Sequence, residues 1–156
     1  MRPNMTITDA VLDDLERIVD IYNSTIPSRM VTADLEPVTV SSRVEWFEIH
    51  NPRSRPLWVM RNAGEIVAWL SFQSFYGRPA YDATAELSIY IAEEARGQGV
   101  GSAFLKYAIE QCPSLGIENI VGFVFAHNAP SVALLKKFGF KEWGLLPKVA
   151  VLDGVE

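Results

Sequence analysis

Apolar residues alternate with polar ones in short runs, then recur every three to four positions, and this change of period repeats along the chain. Met5 to Thr8 reads as a short strand. Asp9 then caps a helix in which Val11, Leu12, Leu15, Ile18, Val19 and Tyr22 fall on one face, with Asp13 and Asp14 in its first turn. Asn23 to Val38 has no period and is broken by Pro27 and Pro37. A loop of that length commonly forms a substrate wall or lid. A second helix is expected over Ser42 to His50, with Val44, Trp46 and Phe47 as its apolar members, and Asn51-Pro52 ends it.

Strand signals follow. Leu57 to Arg61 and Glu65 to Phe75 flank Asn62-Ala63-Gly64, a hairpin loop. Tyr76-Gly77-Arg78-Pro79 interrupts the pattern, and Ala83 to Ile91 resumes it. In that run Leu87, Ile89 and Ile91 point one way while Glu86, Ser88 and Tyr90 point the other. A helix from Gly101 to Cys112 buries Phe104, Leu105, Ala108 and Ile109, and Pro113 and Gly116 close it. Ile120 to Phe125 predicts a central strand, apolar on both faces apart from Gly122.

Asn128 caps a last helix that runs through Phe138, with Pro130 in its first turn, Lys136 and Lys137 at its negative end and Gly139 as its stop. Lys141 to Leu152 predicts a final strand, and Asp153-Gly154 a hairpin turn whose second strand is expected beyond Glu156. An open apolar edge there would invite aggregation.

Composition narrows the classes. With 156 residues, 49% of them hydrophobic, the chain is expected to be one domain spanning 1–156. The net charge of −5 and the lack of a Lys/Arg cluster argue against nucleic acid as a partner. Cys112 stands alone, which excludes an internal disulfide and suits a reducing, cytoplasmic setting. No apolar run approaches the roughly 20 residues of a membrane span, and the N-terminus lacks a secretory-signal pattern.

The candidate chemistry centres on Arg96-Gly97-Gln98-Gly99-Val100-Gly101-Ser102, placed between a strand and a helix. Glycines at every second position let the backbone curl and leave its N–H groups uncovered at a positive helix end, a cradle for phosphate oxygens that Arg96 can extend. A nucleotide P-loop requires a different glycine spacing and a following Lys-Ser or Lys-Thr, which are absent. A dinucleotide fold wants an acid at the end of the next strand, and here that strand ends Phe125-Ala126-His127. The pyrophosphate of coenzyme A is the third option. The run resembles the [RQ]-x-x-G-x-[GA] motif of the GNAT superfamily of N-acetyltransferases.

The order β-α-α-β-β-β-α-β-α-β is similar to that family's fold over nearly the whole chain. The resemblance implies an α/β (α+β) architecture with a mixed, mostly antiparallel sheet flanked by helices. Several runs look like the phosphinothricin and methionine sulfoximine acetyltransferase group. They are Ile21-Tyr22-Asn23, Trp46-Phe47, Arg78-x-x-Tyr81-x-x-Thr84-x-Glu86, Ser88-Ile89-Tyr90-Ile91, Asn128-Ala129-x-Ser131 and Lys137-Phe138-Gly139-Phe140. That likeness implies acetyl-CoA as cosubstrate, no metal, and a small amine acceptor such as phosphinothricin, methionine sulfoximine or methionine sulfone.

The same resemblance distributes the roles. Glu86, ten residues before the phosphate loop, is the candidate general base, acting directly or through a water. Ile89, Tyr90 and Ile91 would pair their backbone with the pantetheine arm as if it were a further strand, one N–H facing the developing oxyanion. Arg96 to Ser102 would hold the pyrophosphate, and Asn128, Ser131 and Lys137 would complete the cofactor side. Arg78 would clamp the acceptor's carboxylate, with Tyr22, Asn23, Phe75 and Tyr81 lining the rest. Leu135 stands where many relatives carry a Tyr that protonates the departing thiolate, so no general acid is named. A thiol of ordinary pKa, about 8.5, leaves without one.

Two rivals remain. A non-catalytic acyl-CoA sensor would keep the loop but need neither Glu86 nor an acceptor pocket. An enzyme for polyamines or protein N-termini would suit the acidic charge, though Arg78 would repel a polyamine. The resemblance also implies a homodimer, and Trp46, Trp69, Phe72, Phe75 and Tyr76 exceed what a small core must hold.

Overall fold

In the computed structural model, which describes residues 4–155, five strands form one mixed sheet in sequence order. They are β1 (Met5–Asp9), β2 (Leu57–Asn62), β3 (Glu65–Ser74), β4 (Thr84–Ile91) and β5 (Asn119–Val121). The first four pair antiparallel, and β5 joins β4 in parallel. The helices are α1 (Leu15–Ser24), α2 (Val44–Glu48), α3 (Val100–Leu115) and α4 (Ala129–Lys137).

Alternation along the strands sends side chains to two apolar layers. On one face Met60, Leu70, Phe72 and Leu87 pack against Phe104, Leu105 and Ala108 of α3, while Leu134 and Leu135 of α4 close the edge of that layer. On the other face Val59, Ile66 and Trp69 receive Ile18 and Ile21 of α1, with Trp46 and Phe47 of α2 alongside. Trp69 also donates its indole N–H to the Ile18 carbonyl at 3.0 Å, which fixes α1 on β3. The hairpin between β2 and β3 turns on Ala63 and Gly64, both at positive φ, as a two-residue primed turn demands.

Four expectations change. Val11 and Leu12 are exposed, because a 3-10 turn over Leu12–Asp14 precedes α1 and swings them off its buried face. Pro113 lies inside α3 rather than closing it, and Gly116 at φ 72° makes the stop, its N–H bonding to the Pro113 carbonyl at 3.3 Å. β5 ends at Val121, and Phe123 and Val124 are exposed instead of central. The expected strand Lys141 to Leu152 does not form. Residues 141–151 run without ladder partners, and Leu152 pairs only with Val155 across the turn at Asp153 and Gly154, both at positive φ. The turn chemistry was readable; the pairing it would need is missing among the described residues.

No helix among the described residues is long and apolar enough to cross a membrane.

Candidate active site

The parting of β4 and β5 shapes the site. The parallel ladder holds only Thr84, Ala85 and Glu86 against Asn119, Ile120 and Val121. Beyond it β4 runs on to Ile91 with β3 as its one partner among the described residues. Ala92 N–H donates to the Val67 carbonyl at 2.8 Å. Antiparallel alternation from that bond turns the N–H and C=O of Glu86, Ser88 and Tyr90 toward β3, and those of Ile89 and Ile91 toward the gap. Ile89 and Ile91 are thus able to offer a strand-like edge, whereas Tyr90 contributes its side chain.

The glycine loop lies directly after this edge. Gly97 and Gly99 hold φ of 73° and 78°, and Gly99 stands immediately before α3 in the left-handed region. Ala103 N–H to Gly99 C=O, 3.1 Å, is the first bond of the helix, so Val100, Gly101 and Ser102 present N–H groups ahead of the ladder. Gly101 serves another purpose. A Cβ there would lie 3.1 Å from Leu134 Cδ2 and 3.2 Å from Ile91 Cδ1, so its missing side chain lets α3 approach β4 and α4. Gln98 donates to the Glu94 carbonyl at 3.0 Å, shaping the loop, and Arg96 is exposed at its rim.

α4 brings its end to the same place, where Lys137 donates to Ser102 Oγ at 3.1 Å. Asn128 is buried and caps α4, its Oδ1 accepting from Ser131 N–H at 3.3 Å. Leu135 packs toward Gly122, in the segment after β5, and belongs to the core layer. Leu135 carries no hydroxyl and so has no proton to donate.

Glu86 shares a sheet face with Ser88 and Tyr90, cross-strand from Gln73, Ser71 and Trp69 respectively. It is half-buried, and burial holds its carboxyl above the usual range. Beside it, a pocket of about 160 Å³ opens between this row, α1 and α2. Tyr22, Trp46, Trp69 and Tyr90 supply its aromatic walls, and Ser71, Gln73 and Ser88 its polar side. Tyr90 stacks on Trp69 at 4.6 Å and meets the edge of Tyr22 at 5.1 Å; burial pushes its phenol up. Tyr22 hydroxyl donates to the Asp34 carboxylate and lies 2.6 Å from Thr32 Oγ1.

The other acceptor-side expectations divide. Asn23 uses both ends of its amide on the Val38 backbone, at 2.9 and 3.0 Å, and so holds the pocket-lining loop in place. Phe75, Tyr76 and Tyr81 form a ring cluster, and both it and the exposed Arg78 lie outside the pocket's lining. Of the five aromatics expected at a dimer contact, Tyr76 is the most exposed, at 77%, whereas Trp69 and Phe72 are buried. Sequence reasoning missed Arg43, which lies in the pocket with its guanidinium 5.0 Å from the Tyr22 ring centre. The readable signal was its spacing of three from Trp46. It also missed Arg55, which is buried and donates to the Asp82 carbonyl at 2.7 Å, anchoring the loop that leads into β4.

Known proteins share this fold. The model of the Acetyltransferase (GNAT) family matches residues 15–140. YwnH of Bacillus subtilis, provisionally a phosphinothricin acetyltransferase, is 56% identical over 96% of this chain and 92% of its own. An L-methionine sulfoximine/L-methionine sulfone acetyltransferase of Pseudomonas aeruginosa is 29% identical, covering 92% of this chain and 84% of its own. The crystal structure of a GNAT superfamily phosphinothricin acetyltransferase from Sinorhizobium meliloti, in complex with acetyl-CoA, superposes with a TM-score of 0.88 at 28% identity over 97% of this chain and 82% of that one.

Proposed function

The chain belongs to the GNAT acetyltransferase family, and from that premise we propose that it transfers the acetyl group of acetyl-CoA to the primary amine of a small amino-acid-like acceptor, of the phosphinothricin, methionine sulfoximine or methionine sulfone type. The observation that carries this reading is the parting of β4 from β5 immediately before a glycine cradle. The gap offers the unpaired edge of Ile89 and Ile91 to an extended pantetheine arm. The cradle offers the N–H groups of Val100, Gly101 and Ser102, with Arg96 and Lys137, to a pyrophosphate. These residues fit coenzyme A in both chemistry and order along the cleft.

The cosubstrate, when bound, supplies an acetyl thioester. The remaining work falls to the chain. Glu86 accepts the proton of the acceptor's ammonium, directly or through a water, and burial raises its affinity for protons, the direction a general base needs. Ile89 N–H donates to the carbonyl oxygen on which negative charge develops. The aromatic pocket excludes water around the attacking nitrogen. Leu135 donates no proton, so the thiolate leaves unassisted. Arg78 holds the acceptor's α-carboxylate from the loop before β4, and the cluster of Phe75 with the exposed Tyr76 and Tyr81 seats a second copy of the chain in a homodimer.

Thiol release from acetyl-CoA tests the reading across phosphinothricin, methionine sulfone, methionine sulfoximine, free amino acids and polyamines. Turnover confined to the amino-acid-like acceptors supports it. Release driven by polyamines alone would replace it with the second reading. A monomer mass by light scattering at micromolar concentration would remove the dimer.

A further inference from the structure

The pocket beside Glu86 contains a cation that the transfer chemistry does not use. Arg43 lies between the Tyr22 ring and solvent, and its one hydrogen bond among the described residues is a 3.4 Å contact from a terminal nitrogen to Asp34 Oδ2. A guanidinium has five N–H donors, so most of this one's capacity is unspent. Asp34 is its ion-pair partner through that single long contact, which leaves the other donors open to a ligand. A second group in the same pocket is short of a partner. Ser71 is 1% exposed, and its hydroxyl makes no hydrogen bond. Leaving a buried hydroxyl unpaired is costly, and a ligand oxygen would relieve it.

Geometry says which part of an acceptor these groups meet. The amine must lie near Glu86 and Ile89. Arg43 is at the Tyr22 and Tyr90 end, and Tyr90 is two residues along β4 from Ser88 and four from Glu86. At about 3.3 Å per residue those separations are roughly 7 and 13 Å. An α-carboxylate is only one carbon removed from its amine and stays close to Glu86. An oxygen at the end of a side chain, three or four bonds of about 1.5 Å further on, lies roughly 4–6 Å beyond it along the pocket, toward the Arg43 end.

On the acetyltransferase reading, we propose that Arg43, with Ser71 lining the same pocket, receives an anionic oxygen at the far end of the acceptor's side chain, making Arg43 a specificity-determining residue. The enzyme then distinguishes a charged from an uncharged terminal group. The four surrounding rings hold the intervening methylenes, and Arg43 itself keeps a second ammonium out of the pocket, which disfavours polyamines.

Phosphinothricin and methionine sulfone form a matched pair for the test. Each ends in a tetrahedral centre with one methyl and two oxygens; the phosphinate is anionic and the sulfone neutral. Steady-state kinetics are measured for both acceptors with wild type, Arg43→Met and Arg43→Lys. Arg43→Met keeps the stem over Tyr22, and its thermal melt reports any loss of fold. It should raise KM for phosphinothricin by about ten- to a hundredfold while changing the sulfone KM less than about threefold, with kcat nearly constant. Arg43→Lys should recover part of the phosphinothricin affinity. Equal losses for both acceptors, or no loss for either, overturn the proposal while leaving the acetyltransferase reading intact. Wild type that acetylates neither acceptor overturns both.

Discussion

Lys137 Nζ reaches across from the end of α4 to donate a 3.1 Å hydrogen bond to Ser102 Oγ in the first turn of α3. The contact places an ammonium at the positive end of a sixteen-residue helix. Charges of one sign gathered there repel one another until an anion arrives. Lys137→Gln should therefore weaken acetyl-CoA binding about three- to tenfold, within the range of a partly exposed helix-terminus charge. The deficit should shrink as salt is added. Titration calorimetry at low and high ionic strength checks both parts. Equal affinities at low salt would put Lys137 outside the cofactor site.

The glycines of the cradle should separate into two kinds. Gly99 has open space around its missing Cβ but a φ of 78°, so Gly99→Val strains the loop that presents the N–H groups. Its melting temperature should fall slightly and its acetyl-CoA affinity substantially. Gly101→Val instead drives a side chain into Leu134 and Ile91, and overpacking of that kind costs about 1–3 kcal/mol. It should lose stability first. Paired melts and calorimetry separate the two, and an unchanged affinity in folded Gly99→Val would remove the phosphate cradle from the mechanism.

Much of the fold was legible because its signals are local. Period-two alternation in Ala83 to Ile91 gave the two faces of β4, and Ala63-Gly64 gave a turn that required positive φ. The glycine spacing likewise gave the loop before α3. The pocket was harder to see, since Arg43, Ser71, Gln73 and Tyr90 lie on three separate elements and meet only after packing. The expected strand at Lys141 to Leu152 failed for a related reason. Apolar content there measures strand propensity, but a strand exists only where a ladder partner is available.

Glu86 titrates above the ordinary carboxylate value because burial disfavours its charge. As a base it must be ionised, so kcat/KM should rise with pH through that raised pKa, and Glu86→Gln should flatten this limb while losing roughly 10²- to 10⁴-fold in rate. Stability moves the other way. The folded state binds the proton more tightly than the unfolded one, so ionising Glu86 destabilises the fold as pH rises through the window between the two pKa values. Above that window Glu86→Gln should melt higher than wild type, and below it the difference should vanish. Melts across pH 3 to 8 are the measurement; a variant that melts lower at neutral pH would show that the carboxylate is satisfied by a partner rather than desolvated.

Arg78 poses a question of magnitude. Its side chain is exposed beside Pro79, and an exposed ion pair is worth at most about 1 kcal/mol, or roughly fivefold in KM. A carboxylate desolvated against it would be worth more, on the order of 1.5–3 kcal/mol. Arg78→Ala should therefore raise KM for amino-acid acceptors by ten- to a hundredfold and leave acetyl-CoA affinity unchanged. The corresponding amides lack the carboxylate and should be poor substrates for both forms, indifferent to the change. Because Arg43 meets the opposite end of the acceptor, the Arg78 loss should appear equally with phosphinothricin and methionine sulfone. A loss under about fivefold, or a wild type that acetylates amides as well as acids, would return Arg78 to the solvated surface and leave the α-carboxylate without a protein cation.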